Sequence, residues 1–160
     1  MVIYPDPPPP LLPVLDAAGI WTPGNIRKIE AAREKLRRRF PQFRFHICTI
    51  MMPPETILPV FGFWLLNVCP LHANETAEDR AWTVLLLINA RTGQTAIVPG
   101  YHAEPWLSDD DWCKALAAMD SAWKAGKSAD AVLRFFAAGA TLLDQSWKLR
   151  GTRRSRKSRS

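Results

Sequence analysis

Residues Trp82 to Asp111 read WTVLLLINARTGQTAIVPGYHAEPWLSDDD, and the fold is decided there. An apolar run through Val84-Leu85-Leu86-Leu87-Ile88 turns on Arg91-Thr92-Gly93-Gln94. It returns as a second short apolar run ending at Pro99-Gly100. Two such runs joined by a few residues that include glycine predict a β-hairpin. An irregular segment, Gly100 to Trp106, follows, and Ser108-Asp109-Asp110-Asp111 then opens a helix. His102 and Glu104 therefore stand on a loop between a buried strand and a helix N-terminus. Loops held by a rigid scaffold are where binding groups concentrate.

Outward from the hairpin, the pattern alternates helix and strand. Thr22 caps a helix with Pro23 at its first position, and Ile26, Ile29, Ala32, Leu36 and Phe40 line one face. Pro41 stops it. Phe43 to Ile50 alternates and then turns uniformly apolar, as a strand buried on both faces does. A second, nearly all-apolar helix is expected from Pro53-Pro54-Glu55 to about Asn67, with Pro59 tolerated only in the first turn. Residues 70–80 are polar and read as a loop. Ser108 caps a further helix, with Asp111 three residues on as a capping-box variant; Trp112, Leu116, Met119 and Trp123 form its stripe and Gly126 ends it. Ser128 caps the last helix, with a stripe of Val132, Phe136, Ala140, Leu143 and Trp147 read as core. This order predicts an α/β fold, a small mixed sheet covered by helices on both faces.

At 160 residues, with 48% apolar content and seven Trp, the chain suits one domain around one core. Three parts are expected: a proline-rich extended lead over 1–13, a folded domain over 14–147, and a basic disordered tail over 148–160. The tail holds Lys148, Arg150, Arg153, Arg154, Arg156, Lys157 and Arg159 with no acid, so removing its seven charges from the net +6 leaves about −1 for the rest. Such a tail attracts an anionic partner through screened charge. Cys48, Cys69 and Cys113 are scattered, which fits a reducing compartment. The longest apolar run, Ile57 to Leu66, carries Pro59 and Gly62 and is ten residues long, against about 20 for a membrane-spanning helix. With no signal peptide in view, a cytoplasmic location without a membrane span is expected.

Familiar catalytic spacings fail. Gly126-Lys127-Ser128 imitates the end of a phosphate-binding loop, but Ser121 stands where that loop needs glycine. Cys69-Pro70-Leu71-His72 has zinc-ligand spacing without a second pair nearby. Asn74-Glu75-Thr76 is a glycosylation sequon that matters only in a secreted chain. No nucleophile pattern is found, so no catalytic residue is assigned. Carboxylates remain. Asp109, Asp110 and Asp111 either answer the free N–H groups of a first helical turn or supply oxygens to a hard cation. Glu104 calls for an ion pair or a cation, and His102 for a hydrogen bond or a role as acid, base or ligand.

The ordered set of these features resembles the TPM-domain family, the thylakoid-lumen acid-phosphatase-like domains. Val14-Leu15-Asp16-Ala17-Ala18-Gly19-Ile20 is similar to the family's opening apolar-x-Asp before an Ala-Gly step. Val84 to Ile88, the loop Gly100-Tyr101-His102-Ala103-Glu104 and Leu107-Ser108-Asp109 follow in the family's order. The resemblance spans roughly residues 14 to 147. It implies a three-layer α/β/α sandwich with a mixed sheet of about four strands. It also implies an acidic Ca²⁺ site, carried by position onto Asp16, Glu104 and Asp109. A phosphate bound there would need positive groups, for which Arg91 and His102 are the nearby candidates. Some members show acid-phosphatase activity, whereas others act in assembly or repair. Here His102 replaces the second loop glycine, and Asn89-Ala90-Arg91 leaves no acid at the hairpin turn. The expected function is a TPM-like module that binds a protein partner without turnover. A metal-assisted phosphomonoesterase is the alternative, and nucleic-acid binding through the tail the third reading.

Overall fold

The computed structural model describes residues 12–69 and 76–158, with side chains through residue 151. Most of the proline-rich lead, His72 and the Asn74 sequon lie outside the described residues. Four strands form one mixed sheet: β1 (Val14–Asp16), β2 (Arg44–Ile50), β3 (Thr83–Asn89) and β4 (Gln94–Pro99), in the spatial order β1-β2-β3-β4. The first three run parallel, and β4 returns antiparallel to β3 through the hairpin.

Among the described residues there are six α-helices: α1 (Pro23–Arg39), α2 (Leu58–Val68), α3 (Ala77–Ala81), α4 (Asp109–Ala117), α5 (Asp120–Lys124) and α6 (Ser128–Ser158). On one face Val84, Leu86 and Ile88 of β3 join Phe45 and Ile47 of β2 beneath α1, α4, α5 and α6. On the other, Leu85 and Leu87 join Cys48, Ile50, Ala96 and Val98 beneath α2. Both faces of β3 are therefore buried, which is why its sequence is a continuous apolar run rather than an alternation. Gly62 of α2 lies against β4: a Cβ there would come within 2.7 Å of Val98 Cγ2.

The α/β expectation holds, and the departures are local. Thr22 caps α1, accepting from Asn25 N at 3.1 Å, and Ser108 caps α4 in a reciprocal box with Asp111. The second helix starts five residues later than expected, at Leu58 rather than Pro53. Consecutive prolines lack N–H donors and disfavour helical backbone in the preceding residue. Helix begins only where Pro59 occupies the first turn. Residues 77–81, expected within a loop, form α3, capped by Thr76 and Asp79. The helix expected from 109 to 125 breaks at Ala118–Met119 into α4 and α5. α6 carries its helical backbone as far as Ser158.

Candidate binding cleft

The predicted site residues fall at two ends of the sheet. Asp16 ends β1 on its carboxyl side. Its Oδ1 accepts from Thr49 Oγ1 at 2.5 Å and from Ile20 N at 3.2 Å, and its Oδ2 from Trp21 N at 3.0 Å. Asp16 thus organises the turn into α1. Arg91 lies at the same end, exposed on the β3–β4 hairpin. Asn89 beside it is fully buried, donating to Met52 O at 3.0 Å and accepting from Met52 N at 3.2 Å.

His102 and Glu104 lie at the opposite end, because β4 runs against β3 and delivers its carboxyl end beside Thr83. His102 N and Ala103 N both donate to Ala81 O, at 2.8 and 3.3 Å. The His102 ring packs 5.6 Å from Trp82, with Nε2 3.7 Å from Glu78 Oε2. Glu104 opens a 3-10 turn (Glu104–Trp106) and is exposed. An exposed carboxylate is open to water, so its position does not demand the ion pair or cation expected for it. Asp109 is exposed at the start of α4.

Asp16 and Glu104 thus lie at opposite ends of the sheet, with the length of β3, about 20 Å at the rise of a strand, between the two ends. Asp16, Glu104 and Asp109 do not converge, and among the described residues no three His, Cys, Asp or Glu side chains group to hold a metal. Arg91 and His102 are divided in the same way. The residues carried over by position therefore do not fit one Ca²⁺ site. Hard cations need several oxygens around one point.

A different set of residues comes together at the His102 end. Trp82 closes α3, Trp106 ends the 3-10 turn, Gln42 precedes β2, and α6 brings Trp147 and Arg150. With Gly151 these line a cleft of about 490 Å³. Buried Phe43 packs against two of these rings, its centroid 5.3 Å from that of Trp82 and 5.7 Å from that of Trp106, both edge to face. Trp147 stacks on Trp106 at 5.4 Å with an interplanar angle of 12°. The Arg150 guanidinium lies 4.1 Å over the Trp106 ring. Two hydrogen bonds fix this geometry: Ser146 Oγ donates to Trp106 O and Arg150 Nη2 to Pro105 O, each at 2.6 Å.

Trp147 nonetheless remains 55% exposed, which corrects its reading as core. Leu143 is the last fully buried residue of α6 among those described, and the helical stripe runs on after it. Periodicity cannot register that change. The available signal was chemical: Trp147 is followed directly by Lys148 and Arg150.

The two buried thiols are poor nucleophiles. Burial, with Cys69 and Asp16 nearby, pushes the Cys48 thiol up to about 12, and burial likewise raises Cys69.

The fold has solved counterparts. One is the N-terminal domain of a protein from P. gingivalis, 18% identical, with a TM-score of 0.65 over 83% of this chain and 82% of that one. Another is the BA42 protein of the psychrophilic bacterium Bizionia argentinensis, 13% identical, with a TM-score of 0.58 over 78% of this chain and 82% of that one. Neither a family model nor a curated protein matches the sequence. At these identities the likeness is one of fold.

Proposed function

We propose that the chain is a TPM-like domain acting as a non-catalytic binding module, with the tryptophan cleft as its recognition surface for planar groups. The observation that carries this reading is the stack of Trp147 on Trp106. A tryptophan more than half exposed, yet held nearly parallel to a second ring, offers a preformed face for another ring. Preorganisation of this kind reduces the ordering cost of binding. The dispersed carboxylates support the same reading. A phosphomonoesterase would need cations and acids converging on one phosphate, whereas Arg91 and His102 lie at opposite ends of the sheet. The order of the family-like residues supports the TPM-like assignment, and three free thiols suit a cytoplasmic setting.

Nitrogen-labelled indole resonances, followed by NMR during titration with adenosine as a neutral planar probe, test this. The Trp82, Trp106 and Trp147 N–H signals should shift saturably, and Trp147→Ala should remove the response. An aryl-phosphate assay with Ca²⁺ or Mg²⁺ tests the alternative: release of nitrophenol that Glu104→Gln abolishes would establish phosphatase activity and overturn the proposal.

A further inference from the structure

We infer that the cleft takes bases of single-stranded nucleic acid, with the phosphate backbone running along the basic end of α6. This rests on the cleft being the recognition surface, and it adds the ligand class. Three observations combine.

The first is geometric continuity. Trp147 and Arg150 line the cleft, and the same helix continues to Ser158. From 148 to 158 the sequence holds Lys148, Arg150, Arg153, Arg154, Arg156 and Lys157 and no acid. At the rise of an α-helix, eleven residues extend about 16 Å, the length of roughly five stacked nucleotides. The Trp147 ring and the Arg150 guanidinium thus belong to the element whose sequence carries the basic run. Neutral stacking platforms beside a basic track are how proteins hold single strands without reading sequence.

The second is a bank of cations on the other side. Arg37, Arg38 and Arg39 form the last turn of α1. The ion pair between Arg39 and Asp144 fastens that turn to α6 just before Trp147. Gln42, three residues beyond Arg39, lines the cleft itself. Arg37 is engaged by Glu34 at 2.6 Å, while Arg38 lies 3.8 Å from the same carboxylate with its side chain 78% exposed. Glu78 stands on the Trp82–His102 side, where it repels phosphate and directs the backbone toward α1 and α6.

The third is size. About 490 Å³ admits one or two bases, and a base can enter only if its face is free. Bases stacked within a duplex cannot offer that face, so a duplex is left with charge attraction alone.

The test is fluorescence anisotropy of the full chain with labelled 12-nucleotide DNA and RNA single strands, a duplex of the same sequence, and heparin as a competitor. The expected result is single-strand binding at least tenfold tighter than duplex binding. Trp147→Ala should weaken it by about 5- to 150-fold, the range for loss of one base–aromatic stack, with the salt dependence unchanged. Trp147→Phe should restore most of the affinity. Arg153→Gln with Arg154→Gln should instead flatten the dependence on salt, by up to about 0.7 in log–log slope per lost phosphate contact. Equal binding of duplex, heparin and single strand, indifferent to Trp147→Ala, would overturn the inference and leave adsorption by charge. An absence of oligonucleotide binding would overturn it too. The adenosine titration separates the two readings: if adenosine still shifts the indoles, the cleft stands with another planar ligand, and if it does not, both fall.

Discussion

Thr49 donates its hydroxyl proton to the Asp16 carboxylate across 2.5 Å, and the two residues face each other in the register of β1 and β2. The same Thr49 oxygen accepts from Ala18 N at 3.1 Å, so one buried hydroxyl joins the edge strand to the turn that starts α1. Thr49→Val keeps the shape and removes both bonds. It should cost about 1–3 kcal/mol, the penalty for leaving a buried polar group unpaired, read from urea unfolding midpoints. Asp16→Asn should cost a comparable amount. Little added loss in the double variant would show that the two act as one unit.

The same geometry gives an expectation for metal. Thermal midpoints of the full chain in EDTA, Ca²⁺ and Mg²⁺ should agree within about a degree. A ligand at 100 times its dissociation constant would stabilise by about 2.7 kcal/mol, a shift of several degrees. A Ca²⁺-specific rise of that size, lost in both Asp16→Asn and Glu104→Gln, would reunite the two carboxylates in one site and refute the placement argued above.

Gly100 admits no side chain. A Cβ would stand 2.5 Å from Ala81 O and 2.6 Å from Arg80 O, both backbone atoms at the joint of α3 and β3. Gly100→Ala should therefore destabilise by about 1–3 kcal/mol, the range for overpacking a filled site. It should also loosen the His102 loop, whose amides depend on Ala81 O. Gly24→Ala is the control, because its nearest neighbours would be 3.8 Å away or more. Hydrogen exchange at His102 and Ala103 reads the loosening directly.

Cys48 links stability to pH. Its folded thiol holds a proton up to about 12, whereas in the unfolded chain a thiol loses it near 8.5. Between those values the unfolded state binds fewer protons, so stability falls as pH rises, by up to about 1.4 kcal/mol per unit. Below pH 8 this contribution is fully present and flat. Urea midpoints at pH 8, 9 and 10 under reducing conditions should decline, and Cys48→Ala should decline less steeply. Thiol labelling at pH 8 should modify exposed Cys113 first and leave Cys48 until the chain unfolds.

Trp147→Ala should change stability by less than about 1 kcal/mol, since most of its ring is already in water. Phe43→Ala, a buried ring packed against Trp82 and Trp106, should cost about 3–5 kcal/mol. A large loss for Trp147→Ala would mean that the ring props the fold rather than presenting a face.

How far the sequence reached can be traced through particular residues. Thr22 before Pro23, Ser108 before Asp111 and the glycine turn at Gly93 are local instructions: a cap satisfies an N–H three residues away, and a turn needs positive φ at one residue. These appear where expected, with Gly93 at φ 78. The uniformly apolar end of Phe43 to Ile50 likewise announced a strand covered on both sides, because burial of both faces removes the polar alternation. The fold class followed.

The site did not. Asp16 and Glu104 lie in the sequence order of an acidic site, yet strand direction sets them a sheet's length apart. Order along a chain does not fix the end at which an antiparallel strand delivers its loop. In the sequence Trp82 heads the first apolar run, Trp106 closes the irregular loop and Trp147 reads as core, while Gln42 carries no signal. Only docking of α6 against the 3-10 turn brings them to one cleft. That convergence depends on non-local packing: Arg39 with Asp144, Ser146 with Trp106 and Arg150 with Pro105 join segments far apart in the chain. The sequence determined the elements, because their causes are short-range. The tertiary structure decided which side chains share a surface, because that depends on how whole elements stack.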